Sequence, residues 1–155
     1  MELKELKKTY SIYAKKYSLP SFQVLNGDFE IERIDKESDI FLRVVRKKIM
    51  EKIINSMSFV EILLNNVNPP KIYYVYIKNM SLEERKELER VYDILSRLSI
   101  DSLSLEIDSN DKLEAELIKK ACKEWSLLKP FFKKVILSMR NPVLQNNKKE
   151  KSYFG

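Results

Sequence analysis

Apolar residues recur at steps of three and four along most of the chain. Leu3, Leu6, Tyr10, Tyr13, Ala14 and Tyr17 form the first stripe, with lysines between them, and predict an amphipathic helix over 2–17. Leu19-Pro20 ends it, because the residue before a proline is pushed away from helical angles. Ser21 can cap a short helix over 22–26, and Gly27 suits the left-handed position that closes one. Phe22, Val24, Leu25, Phe29 and Ile31 then read as apolar anchors that fasten a compact connector to the core.

The longest stripe follows. Phe41, Leu42, Val45, Ile49, Ile53, Ser56, Met57, Val60, Leu63 and Leu64 share one broad face of a helix over 36–66, with Asp35 or Ser38 as its cap. A helix of that length needs cover along its whole stripe and is expected to be the central element. Asn65, Asn66, Asn68, Pro69 and Pro70 make a turn.

Residues 71–80, KIYYVYIKNM, are ambiguous. Their β-branched and aromatic composition favours a strand, yet Pro69-Pro70 can open a helix. Helix is preferred because the best partner strand, 100–107, follows directly from a helical pattern. Ser81 and Glu84 have capping-box spacing ahead of Leu88, Val91, Tyr92, Leu95, Leu98 and Leu103. After a polar break over 108–111, Leu113, Leu117, Ile118, Ala121, Cys122 and Trp125 form another stripe. Ser126 then caps a last helix holding Phe131, Phe132, Val135, Ile136 and Met139, with Pro130 in its first turn or at a kinked junction.

The pattern predicts an all-α, single-domain bundle of about five to six helices over 1–140, with a long central helix. Residues 141–155 have no periodicity and are expected to form a flexible basic tail. Within it, Lys148, Lys149 and Lys151 precede Tyr153 and Phe154. Adjacent aromatics behind a basic run suit capture by a protein groove, and these five residues are the candidate partner-binding set. The alternatives are that the aromatics fold back onto the protein's own core, or that they have no role.

The connector also carries a resemblance. Leu19-Pro20-Ser21-Phe22, Leu25-Asn26 and Phe29-Glu30-Ile31-Glu32 resemble a signature of small uncharacterised archaeal helical proteins. The likeness continues through Phe41-Leu42-Arg43, Arg46-Lys47-Lys48-Ile49 and Glu51-Lys52-Ile53, with an echo at Lys123-Glu124-Trp125. Gly27 and the tyrosines at 73, 74 and 76 depart from it. The resemblance implies a helical bundle and, since those proteins have no assigned activity, says nothing about function.

Composition narrows the chemistry. The 155 residues are 44% hydrophobic with a net charge of +6, a globular composition that permits an anionic partner without requiring one. The chain has no histidine, which removes the commonest general base and zinc ligand. One cysteine completes neither a disulfide nor a thiolate metal site, and two glycines build no phosphate-cradling loop. No cofactor is expected, and the expectation is a non-enzyme. Without an apolar run of spanning length, no membrane is expected either, and a lone thiol fits the cytoplasm.

Five candidates remain. Glu30 and Glu32 could bind a divalent cation or do acid–base work, or be solvated, or neutralise Arg33, Arg43 or Arg46. Arg43, Lys47, Lys48 and Lys52 are the candidate nucleic-acid contacts, although they fall in two rows on different edges of one helix. Arg46 lies near the apolar face and needs a carboxylate from Glu30, Glu32 or Glu106. Tyr10, Tyr13 and Tyr17 read as core packing or as a stacking platform for bases, and Cys122 as an inert core thiol. The function expected is a non-catalytic interaction or adaptor protein with an unknown protein partner, a homodimer being compatible. The alternative is an accessory protein on RNA, DNA or the ribosome.

Overall fold

The computed structural model describes residues 2–34, 40–65 and 67–140. They form six α-helices and no strand: α1 (Leu3–Tyr17), α2 (Phe22–Phe29), α3 (Phe41–Leu64), α4 (Lys71–Asn79), α5 (Leu82–Ile107) and α6 (Asp111–Arg140). A single 3-10 turn, Ile31–Arg33, follows α2. The expected tail, 141–155, and the expected caps Asp35 and Ser38 lie outside the described residues. Among the described residues no helix is long and apolar enough to cross a membrane.

The expected central helix is α3. It packs against α5 and α6, and also meets α2, α4 and the 3-10 turn. Its buried residues include Leu42, Val45, Ile49, Ile53, Val60 and Leu63, all without exposed surface. Each such aliphatic side chain contributes about 1.5–3 kcal/mol by leaving water. The ambiguous 71–80 stretch is helical. Residues 100–107, its only candidate strand partner, belong to α5, so a strand there would leave its backbone groups unpaired. Ser81 caps α5 as its spacing predicts, its Oγ accepting from the Glu84 N–H at 3.1 Å. Leu103 is 65% exposed and leaves the core stripe, where Ser102 and Leu105 take the inward positions.

The connector turns the chain back with a different lock from the one expected. Ser18, at φ 56°, closes α1, and the Tyr10 hydroxyl donates to the Pro20 carbonyl at 2.6 Å. Ser21 caps α2, its Oγ accepting from the Val24 N–H. Gly27, however, lies inside α2 and not at a left-handed closing position. The helix runs on because Leu25 and Phe29, one turn apart, both bury, which outweighs the roughly 1 kcal/mol cost of a helical glycine. Glu30, at φ 54°, takes the left-handed corner instead. Asn26 then clamps the turn, accepting from the Glu32 N–H at 2.9 Å and donating to its carboxylate at 3.1 Å. Val24, expected as an anchor, points outward and is 56% exposed.

The last two expected helices are one. α6 runs unbroken from Asp111 to Arg140 with Pro130 inside it, and Ser126 is not a cap. A proline removes one ladder hydrogen bond and costs about 3 kcal/mol in a helix interior. Two facts offset that. Pro130 and Ser126 both lie on the exposed side, where water reaches the freed carbonyl. The apolar stripe passes beneath them uninterrupted, through Trp125, Leu128, Phe131, Phe132 and Val135.

Candidate functional site

Arg46 is a buried charge, 2% exposed on the inner face of α3. Its Nε donates to Glu114 at 2.6 Å, one terminal nitrogen donates to Ser102 at 2.7 Å, and the other to Glu106 at 2.7 Å. Glu114 is buried on α6 and also accepts from the Ser109 hydroxyl at 2.7 Å. Of the three expected partners only Glu106 is used. Glu114 was hidden because it interrupts an apolar stripe, where a carboxylate looks misplaced until a buried guanidinium faces it. Burial pulls the Arg46 pKa down, but its bonds to Glu114 and Glu106 more than offset this and raise it. The cluster joins α3 to both sides of the α5–α6 turn and is structural.

The same cluster sets an acid response. The hydrogen bond from Arg46, helped by Lys47, holds the Glu106 carboxyl below its ordinary value. A carboxyl with a depressed folded pKa contributes stability above its unfolded value of about 4.3 and loses it as pH falls through the folded one. Glu106→Gln should therefore lower the melting temperature at pH 6, and the gap from wild type should shrink steadily below pH 4. Melts across pH 3–6 check this.

The four candidate nucleic-acid contacts are all engaged within the protein. Arg43 Nε lies 3.7 Å from Glu114, Lys47 Nζ 3.4 Å from Glu106 and Lys48 Nζ 2.7 Å from Glu51. Lys52 donates to the Asp28 carbonyl and sits 5.2 Å over the Trp125 ring. Arg43 and Lys47 belong to the ion cluster, and Lys48 and Lys52 to a groove on another side of α3. The two rows do not merge into one basic face. Glu30 and Glu32 do not converge, since Glu30 pairs with Arg33 at 3.0 Å and Glu32 with Asn26. Among the described residues no three His, Cys, Asp or Glu side chains gather as metal ligands would.

Tyr10 is buried, and Tyr13 and Tyr17 pack against the core, Tyr13 stacking on Phe41 at 5.3 Å. Cys122 is part-buried in the same core, and burial pushes its thiol up to about 12. Near pH 8 the thiolate fraction is then on the order of one in ten thousand. A maleimide should leave Cys122 unmodified in the native protein over hours and label it within minutes in denaturant, read by mass spectrometry.

Among the described residues, a groove of about 740 Å³ opens between α2, α3, α4 and α6. Its floor is a continuous run of rings. Phe29 meets Trp125 at 6.2 Å, Trp125 stacks on Phe132 at 5.6 Å, Phe132 meets Phe59 at 6.3 Å, and Phe59 meets Tyr73 edge-on at 5.7 Å. Ile136 and Met139, on the last turns of α6, extend it. Ser56 and Asn55 of α3 border it, and their short side chains leave the space open. The rim carries Asp28, Glu30, Glu51, Lys48 and Lys52. Asp28 is paired with Lys129 as well, so both signs on the rim are held by neighbours. The Trp125 Nε1 is a buried donor that no described residue accepts.

Sequence reasoning missed this groove although its parts were visible. Trp125, Phe132, Ile136 and Met139 lie on one helical row, at steps of seven, four and three. Ending a helix at Ser126 and Pro130 split that row between two elements. No family model, curated protein or solved structure matches the chain.

Proposed function

We propose that this protein is a non-catalytic helical interaction protein, an adaptor whose groove receives a bulky apolar or aromatic side chain from a protein partner. The observation that carries the reading is the aromatic floor beneath a charged rim whose members are already paired. An aromatic cleft of this volume binds by shape and apolar burial, with few polar groups to orient the occupant. Acid–base chemistry would instead need titratable groups converging on one point, and the rim carboxylates each face a cation of their own. The reading includes a cytoplasmic setting and the likeness to archaeal helical proteins of no assigned activity. The candidate motif of Lys148, Lys149, Lys151, Tyr153 and Phe154 belongs to it as a second contact.

Binding to RNA, DNA or the ribosome through Arg43, Lys47, Lys48 and Lys52 is the lesser reading. Each of these residues would have to leave a carboxylate or carbonyl to reach a phosphate, which removes much of the gain from counterion release. The test is affinity recovery from native cells, with and without nuclease, using wild type and Ser56→Trp, a variant that fills the groove. A protein partner retained through nuclease and lost with Ser56→Trp, at an unchanged melting temperature, is the expected result. Recovery abolished by nuclease and indifferent to Ser56→Trp would favour the nucleic-acid reading.

A further inference from the structure

The groove has a ready occupant in this chain. Its floor ends on Ile136 and Met139, and residues 141–155 follow α6 directly in the sequence. Twelve residues separate Arg140 from Tyr153. An extended chain of that length spans about 40 Å, and a coiled one about 20 Å, so the groove is within reach without strain. Tyr153 and Phe154 match an aromatic floor in chemistry. The unaccepted Trp125 Nε1 also calls for an acceptor from outside the described residues.

We infer that the groove is self-occupied: Tyr153 and Phe154 of the same chain seat on its aromatic floor and hold it closed until a stronger partner displaces them. The inference rests on the groove being a binding site, as proposed above. Tethering makes the competition unequal. A short linker gives an effective concentration on the order of 1 mM. A segment that binds in trans with a dissociation constant near 0.1 mM would then fill its own groove about ten times out of eleven. A free competitor would bind about 10-fold more weakly than to an open groove. The groove is thereby an autoinhibited site, and only a partner with a better anchor gains entry.

Trp125 is the only tryptophan and lies in the floor, so its emission reports occupancy. The full chain is compared with the full-length double variant Tyr153→Ala/Phe154→Ala. The probe is a synthetic peptide of residues 148–155, with a control peptide carrying alanine at both aromatic positions. The expected result is a shifted Trp125 emission in the double variant and saturable binding of the probe to it. Binding to wild type should be about 10-fold weaker, and the control peptide should bind neither. Equal affinity for both proteins would overturn self-occupancy while leaving the groove a binding site. Failure of the probe to bind either protein would also overturn it, and the partner recovery with Ser56→Trp then judges the groove separately. An emission difference that vanishes on dilution would place the segment in a second copy's groove and overturn the intramolecular form.

Discussion

Arg46→Ala should destabilise the protein by about 3–5 kcal/mol, the largest effect expected from any single substitution of a charged residue. The size does not come from the worth of the ion pairs. Bringing a guanidinium and a carboxylate out of water costs nearly as much as their attraction returns. It comes from what is left behind: Glu114, itself 1% exposed, would keep a charge with no hydrogen-bonded cation, and Ser102 would lose its donor. For a chain of this length the melting temperature should fall by about 10 °C. Replacing both partners by apolar residues, Arg46→Met with Glu114→Leu, should recover most of the loss, because no charge is then stranded. Thermal melts of the two single variants and the double form the cycle. If the double variant is as unstable as the sum of the singles, the cost lies in lost packing and not in an orphaned charge.

Phe29→Ala should cost a comparable amount, about 3–5 kcal/mol, as buried phenylalanines do. Phe29 is 3% exposed and holds the end of α2 against Trp125 of α6. Its loss leaves a cavity at one end of the groove floor. Phe22 is a different case. It is only part-buried, touching Tyr10 edge-on at 5.7 Å, so Phe22→Ala should cost roughly half as much or less. Denaturant melts of both variants check the ranking. Equal losses would mean that α1 is fastened to the body more firmly than its edge contact suggests.

How far the fold could be read in advance depended on whether a signal was local. The stripes of α1, α3 and α5 follow from periodicity, and Ser81 and Ser21 from capping chemistry one turn long. The failures were of two kinds. At Gly27 and Pro130 a strong local signal lost to burial: Phe29 draws α2 past its glycine, and Phe131, Phe132 and Val135 draw α6 past its proline. At Glu114 the information was never local, since its meaning depends on Arg46, 68 positions earlier. The groove suffered from both. Its α6 row was cut at Pro130, and its other walls come from three separate helices that only the fold brings together.

The corner at Ser18 bears on how tolerant the chain is of change. A residue with a Cβ held at φ 56° carries strain on the order of 1 kcal/mol, which glycine would relieve. The chain thus forgoes a gain one substitution away, as expected of a sequence under selection to stay above a stability threshold and not to maximise it. Ser18 does not border the groove, so Ser18→Gly supplies a sturdier background in which groove variants can be judged by what they bind and not by whether they fold.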